Sequence, residues 1–349
     1  MKEATMAKTS FPTRALGRTG MALSRVGLGT SAIGGTAWAY AWGEQDDGES
    51  IRAIRHAVDR GINWIDTAAS YGQGHAETIV RQALAQMPPS SRPYVFSKGG
   101  LATREGQAYG IAQPDSLRRE LEGSLRRLGV ECIDLYQMHW PAGDGTPLEV
   151  YWQALLDFQR DGKVRAIGLS NHGLAQVQAA EAIGHVDALQ PPFSLIRREA
   201  GADLLPWCES RQTGVIVYSP MQSGLLSGAF SDTRRLPSND WRSRDAEFLP
   251  PRLARNLALA ETLRPLAERH GTTVGAIAIA WTLAWPGVSG AIVGARSPAQ
   301  VDGWLGAATL ELDDEALQLI ADALADSGAG SGPLQPPADR LPTPADFLR

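Results

Sequence analysis

Asp66, Tyr71, Lys98 and His139 are the side chains of this 349-residue chain whose types and spacing suggest chemistry. Asp66 closes the run Gly61-Ile62-Asn63-Trp64-Ile65-Asp66, and Tyr71 follows five residues later, just before Gly72. Lys98 ends Pro93–Lys98 and His139 ends Cys132–His139, two apolar runs that read as strands. A free phenol has a pKa of about 10 and is a poor acid or base near neutrality. A neighbouring ammonium stabilises the phenolate, so Lys98 is expected to lower the pKa of Tyr71. Asp66 can pair with Lys98 and keep it charged, while His139 can orient a carbonyl oxygen or assist proton movement. The set suits carbonyl reduction, with Tyr71 protonating the oxygen as hydride reaches carbon. Taken singly, the lysine reads as a surface charge, the histidine as a satisfied core residue and the tyrosine as packing. Their placement at the ends of successive strands favours the joint reading. The ligand cluster a metal would need is absent, so none is expected.

Four such side chains must be delivered to one place, and the order of elements shows how. Thr13–Leu16 and Met21–Arg25 read as a hairpin, followed by a first core strand at Val26–Thr30. Strands at Asn63–Asp66, Pro93–Lys98, Cys132–His139, Val164–Leu169, Val186–Gln190, Gly214–Tyr218 and Gly290–Val293 then alternate with helical periods. Thr146-Pro147-Leu148-Glu149 has the spacing of a capping box. Arg252–His270 reads as one helix, Gly99–Gln113 carries no legible period, and Met221–Pro251 is a long irregular loop of the kind usually tied to function.

Eight strands alternating with helices predict a (β/α)8 TIM barrel with an N-terminal β-hairpin and an extra C-terminal helix around Leu317, Ile320 and Leu324. A doubly wound sheet is disfavoured, since no Gly-x-Gly-x-x-Gly turn follows the first strand. The expected organisation is a flexible N-terminus at 1–12, one barrel domain at 13–326 and a Gly/Pro-rich tail at 327–349.

Composition narrows the function classes. A net charge of −5 argues against a nucleic-acid surface, and the pairs Arg118-Arg119 and Arg126-Arg127 share one predicted helix with Glu120 and Glu122, as a solvated face would. Two distant cysteines fit a reducing compartment. No run approaches membrane-spanning length and residues 1–14 lack a signal-peptide core, so a cytoplasmic protein with no membrane partner is expected. A homo-oligomer is compatible with the sequence, which does not specify one.

Beyond these residues, a wider pattern is visible in Asp66-Thr67-Ala68, Tyr71-Gly72, Ser97-Lys98, Gln137-Met138-His139, Gly168-Leu169-Ser170-Asn171, Tyr218-Ser219-Pro220 and Gly294-Ala295-Arg296. In that order the chain resembles the aldo-keto reductases from Thr13 to about Ala325. The resemblance implies the barrel, an NADP(H) cofactor held without a Rossmann domain, and Asp66, Tyr71, Lys98 and His139 as a catalytic tetrad. It also implies that Gly29 and Thr30 line the cofactor cleft, with Asp66 touching the ribose. Ser170, Asn171 and Gln190 would bond the nicotinamide carboxamide, and Tyr218 would stack on its ring. Ser219, Pro220, Met221, Gly224, Leu225 and Ser227 match the stretch that wraps the pyrophosphate. Gly294, Ala295, Arg296 and Ser297 match the segment near the adenosine 2′-phosphate, with Gln300 behind. Two positions depart from the pattern: Ala229 stands where many relatives carry lysine, and Trp304 where an adenine-binding asparagine is usual.

The substrate implied is a small carbonyl compound or alcohol. Trp38 and Trp140, with Trp42 and Trp241, are expected to wall its pocket and to suit a flat apolar substrate or a sugar ring. Two alternatives share the fold: a cofactor-sensing regulatory subunit of the channel β-subunit type, and a sugar or alcohol dehydrogenase working oxidatively.

Overall fold

A computed structural model of the protein describes residues 11–104 and 107–337. Residues 1–10 and 338–349, parts of the expected N-terminus and tail, lie outside the described residues. The chain opens with the antiparallel pair β1 (Thr13–Ala15) and β2 (Ala22–Ser24). Eight parallel strands then close a barrel: β3 (Val26–Gly29), β4 (Trp64–Asp66), β5 (Tyr94–Gly99), β8 (Ile133–Met138), β9 (Val164–Ser170), β10 (Ala188–Gln190), β11 (Gly214–Tyr218) and β12 (Val288–Gly294). The last pairs with the first, Gly294 opposite Gly29, so no strand edge is left open. Helices α1 (Asp47–Asp59), α2 (His75–Ala85), α3 (Pro114–Leu128), α4 (Leu148–Arg160), α5 (Leu174–Glu181) and α6 (Leu204–Arg211) follow successive strands. α7 (Arg252–Thr262), α8 (Arg264–Arg269) and α9 (Val274–Leu283) precede β12, and α10 (Pro298–Leu305) and α11 (Asp314–Ser327) end the fold.

One end of this barrel is plugged and the other is left for chemistry. Leu16, Met21 and Leu23 of the hairpin pack with Trp64, Phe96, Leu135, Ala166, Ala188, Ile216 and Ile292 inside the barrel. The Trp64 ring is fully buried, and a Cβ on Gly27 would lie 2.1 Å from it, so a glycine there makes room for the indole. Its ring N–H donates to Ser24 O at 2.8 Å, which satisfies the one polar atom of an otherwise apolar plug. Filling at the N-terminal ends of the strands leaves the polar residues at the C-terminal ends.

Four local readings change. Gly99–Gln113 contains a second hairpin, β6 (Leu101–Arg104) and β7 (Gln107–Gly110), registered Leu101 to Gly110. The helix expected over Arg252–His270 is two, because Pro265 lacks the N–H an uninterrupted helix requires and sits instead in the first turn of α8. Thr146 does not cap α4: its hydroxyl accepts from Gln113 Nε2 at 2.8 Å, and Pro147 occupies the N-cap position. Residues 328–337, sequence-wise the start of the tail, pack on the barrel: Arg198 donates from its backbone to Ser331 O and from its guanidinium to Ala329 O, both at 2.9 Å.

Candidate active site

Asp66, Lys98 and His139 arrive on neighbouring strands. Asp66 ends β4 opposite Phe96, Lys98 lies on β5 opposite Gln137, and His139 follows β8 with its N–H on Gly99 O at 2.9 Å. Tyr71 enters from the turn after β4, whose backbone is pinned by Thr67 N to Phe96 O at 2.9 Å and Ala69 N to Lys98 O at 3.1 Å. Gly72 has φ +59°, and a Cβ there would sit 1.8 Å from Gly34 O. Only glycine lets the β3–α1 loop close onto the tyrosine.

The four side chains meet. Lys98 Nζ donates to Asp66 Oδ1 at 2.5 Å, to Thr67 O at 3.0 Å and to Tyr71 Oη at 3.3 Å. The Tyr71 and His139 rings are 5.6 Å apart, edge to face. All four are buried, Lys98 completely. The second carboxylate oxygen of Asp66 accepts from Gln190 Nε2 at 2.9 Å. Ser170 and Asn171 lie beside it, with Ser170 Oγ on Gln190 O at 2.9 Å, Asn171 Nδ2 on His139 O at 3.0 Å and Tyr218 Oη on Asn171 Oδ1 at 2.7 Å.

Burial decides the electrostatics. Desolvation raises the Asp66 pKa against its Lys98 partner and lowers that of Lys98 against Asp66. Tyr71 is held well above the usual phenol value, first by burial and then by the Asp66 charge. This reverses the downward shift expected from its ammonium neighbour. Lys98 is committed to Asp66 at the shorter distance, and a buried phenolate beside a carboxylate is unfavourable. Burial and the Lys98 charge also hold His139 well below the ordinary histidine value. Tyr71 is therefore a protonated phenol and His139 a neutral imidazole at neutral pH.

Above this set stands an aromatic wall. Trp38 packs 5.0 Å from the Tyr71 ring and 5.8 Å from Tyr40, which in turn touches Trp140 and Trp241, each at 5.9 Å. Trp42 joins through Trp241 at 6.1 Å. The rings are half-buried rather than core residues.

Comparison with known proteins decides the family. The profile of the Aldo/keto reductase family matches residues 25–325. The chain belongs to this family. It is 35% identical over 304 residues to the aldo-keto reductase YhdN of Bacillus subtilis, covering 85% of this chain and 89% of that one. It is 34% identical over 319 residues to an NADH-specific methylglyoxal reductase of Escherichia coli, covering 88% and 96%. Its fold is similar to that of a glycerol dehydrogenase from Gluconobacter oxydans, with a TM-score of 0.82, 37% identity and coverage of 94% and 99%.

In this aldo-keto reductase, the residues expected from the resemblance to line a cofactor cleft follow neighbouring strands at one side of the barrel mouth, with unequal access. Gly29 and Thr30 are buried, Thr30 bonding Asp66 O through both N–H (3.0 Å) and hydroxyl (3.1 Å). Tyr218 is part-exposed, with its phenol pushed up to about 12 chiefly by burial. Ser219, Gln222, Ser223 and Gly224 all have positive φ, which turns this stretch sharply, and Pro220 is buried. Leu225 is fully buried in the core, so it offers backbone alone, while Met221 packs beside Gly275. Ser227 Oγ bonds Gly224 O at 2.6 Å, and Ala229 is exposed. Gly294 is exposed and Ala295 buried. Ser297 caps α10 by accepting from Gln300 N, and Gln300 Oε1 accepts from Arg296 N at 2.8 Å. The Trp304 ring is packed in the core, leaving no exposed face for stacking.

Sequence reasoning missed several polar side chains around this site. Ser70 Oγ lies 3.3 Å from His139 Nδ1. Gln137 Nε2 and Thr67 Oγ1 are buried without a protein partner. His172 Nδ1 reaches Ser170 O at 2.8 Å, so it carries a proton, and Nε2 accepts from Tyr151 Oη at 2.8 Å. That neutral imidazole anchors the Ser170–Asn171 segment. Burial lowers its pKa to about 4. Between about pH 6.5 and 4 the unfolded chain binds this proton and the folded chain does not, so stability is full above about 6.5 and falls on acidification. The expected loss is of order 3 kcal/mol by pH 4. Urea denaturation at stepped pH should show a shallower acid slope in His172→Phe; an unchanged slope refutes the assignment.

Proposed function

We propose that the protein is a nicotinamide-dependent reductase of aldehydes or ketones, reversible toward alcohol oxidation. One observation carries the reading: a buried lysine that bonds both an aspartate and the hydroxyl of a protonated tyrosine at the open end of the barrel. The residues present fit a nicotinamide dinucleotide. The unpartnered Gln137 Nε2 and Thr67 Oγ1 lie among the network that surrounds Asp66 and Gln190, where a polar ligand would satisfy them. Farther out, Arg234 adds positive charge near Arg296, while the charge of Arg242 is paired with Asp240. Ser170, Asn171, Gln190 and Tyr218 would hold the nicotinamide, Ser219–Ser227 the pyrophosphate, and Arg296 the 2′-phosphate of NADP(H). When bound, the cofactor supplies or accepts the hydride.

The protein's own part is to hold and deliver a proton. Tyr71 Oη carries it at neutral pH and gives it to the carbonyl oxygen. Lys98 Nζ steadies the phenolate left behind, and Asp66 keeps that ammonium aimed at the phenol. Neutral His139 donates a hydrogen bond from Nε2 to the carbonyl oxygen. A Ser70 hydroxyl that donates to Nδ1 selects the tautomer with the proton on Nε2. Ser70→Ala is expected to lower kcat about tenfold with KM changed less, and Ser70→Thr to restore it. A kcat unchanged in Ser70→Ala rules out the tautomer role.

The part-buried Trp38, Tyr40, Trp140 and Trp241 would pack on the substrate. Oxidation of a small polyol or sugar is a second reading, favoured by the glycerol dehydrogenase among the similar structures and by indole faces suited to a sugar ring. The deciding experiment follows NADPH and NADH oxidation, and NADP+ and NAD+ reduction, across aldehydes, ketones, sugars and alcohols. Turnover in neither direction by protein that binds dinucleotide would overturn the reading.

A further inference from the structure

The Arg296 side chain is not free to turn toward a ligand. Its Nε donates to Gln45 Oε1 at 2.6 Å, Nη1 donates to Trp42 O at 3.2 Å, and Nη2 donates to Glu44 O. Gln45 in turn donates from Nε2 to Arg296 O at 2.9 Å and to Ser50 Oγ at 3.0 Å. One amide thus grips both the main chain and the guanidinium of a residue 251 positions away. The loop that carries Gln45 is itself braced from the other side. Trp42 bridges Asp240, Trp241 N donates to Ala41 O at 2.9 Å, and the Arg242 guanidinium lies 4.3 Å from the Trp42 ring centroid. Arg242 is fixed by two bonds to the Asp240 carboxylate, at 3.0 and 2.6 Å, and by Ser223 O at 3.1 Å. Residues 41–45 are therefore a strap joining the loops after β11 and β12.

We propose that Gln45 sets the selectivity between dinucleotides with and without a 2′-phosphate, by competing with that phosphate for Arg296. This rests on the reading of the protein as nicotinamide-dependent, with Arg296 facing the adenosine. A guanidinium binds phosphate best through its planar fork, and here each of its nitrogens already serves an acceptor of the strap. The two uncommitted N–H groups, one on each Nη, remain open to a 2′-phosphate, but it gains the Nε–Nη2 fork only by displacing Gln45 Oε1 and Glu44 O. A dinucleotide that lacks the phosphate leaves the clip intact. The strap therefore lowers the preference for NADP(H) over NAD(H) while keeping Arg296 in position, and releasing it should raise that preference.

Isothermal titration calorimetry with NADP+ and NAD+ on the full chain tests this through the ratio of the two Kd values, independently of turnover. Gln45→Ala removes the acceptor and is expected to shift the ratio about tenfold toward NADP+. Gln45→Glu replaces the amide oxygen by a carboxylate that pairs with Arg296 and repels the phosphate, so the ratio should move at least as far toward NAD+. General damage to the strap would weaken both cofactors together and leave the ratio unmoved. A ratio that stays within twofold of wild type in both variants, or moves the same way in both, overturns the proposal. Wild-type protein that binds neither dinucleotide would instead overturn the nicotinamide reading on which it rests.

Discussion

Tyr71→Phe is expected to reduce kcat by about 10²–10⁴-fold, the range for loss of a general acid, with dinucleotide binding retained. The substitution removes one oxygen and leaves the ring that packs against Trp38 and His139. The buried Lys98 keeps its bonds to Asp66 and Thr67 O, so the site is not left with an unpaired cation. Loss of activity in this variant therefore reports on the proton and not on the fold. The high pKa of Tyr71 adds a directional expectation. Reduction needs the phenol, which is the resting form, whereas alcohol oxidation needs the phenolate that burial and Asp66 oppose. Reduction should accordingly hold its rate across neutral pH while oxidation climbs with rising pH. Steady-state kinetics in both directions, paired with calorimetric cofactor binding to Tyr71→Phe, checks both points. Activity within threefold of wild type would remove Tyr71 from the mechanism.

The barrel was legible because each strand is a short apolar run that ends in a polar or small residue, and parallel strands with helical returns close in one way. The meeting of Asp66, Lys98 and His139 follows from that topology, since each stands at the C-terminal end of a neighbouring strand. Other features depend on contacts that no local pattern encodes. Whether Lys98 lowers the phenol pKa or burial raises it depends on how much water reaches Tyr71, and the Trp38 loop that excludes it is distant in sequence. The hairpin Leu101–Gly110 has four-residue strands, too short for alternation to stand out. Thr146 carried a local capping signal, but Gln113 offered its hydroxyl a tertiary partner. Arg296 was readable as a cation suited to phosphate; that it is already held by Gln45 was not, because the partner is on the other side of the barrel seam. The break at Pro265 is a local signal, since proline lacks the N–H that an uninterrupted helix needs.

Lys98→Met should be as damaging to turnover as Tyr71→Phe and, unlike it, costly to the fold. Lys98 is fully buried and is the cation paired with Asp66, itself 2% exposed. Removing one partner of a buried ion pair leaves the other charge uncompensated, a loss of about 3–5 kcal/mol. Asp66 would retain Gln190 Nε2 as a donor but no positive charge. Its pKa, already raised by burial against the pull of Lys98, must rise further. The sign of the pH dependence follows. A carboxyl whose folded pKa exceeds its unfolded value of about 3.9 binds a proton more readily in the folded state, so the variant gains stability as pH falls and loses it as pH rises through the folded pKa. Urea denaturation from pH 4 to 8 should therefore show the deficit at neutral pH shrinking on acidification. Adding Asp66→Asn should recover most of that stability without recovering turnover, because the phenolate of Tyr71 would still lack its ammonium. Those two readouts separate a charge that supports the fold from one that supports chemistry. A Lys98→Met protein with wild-type stability at pH 7 and a normal pH–rate profile would show that the ion pair serves neither.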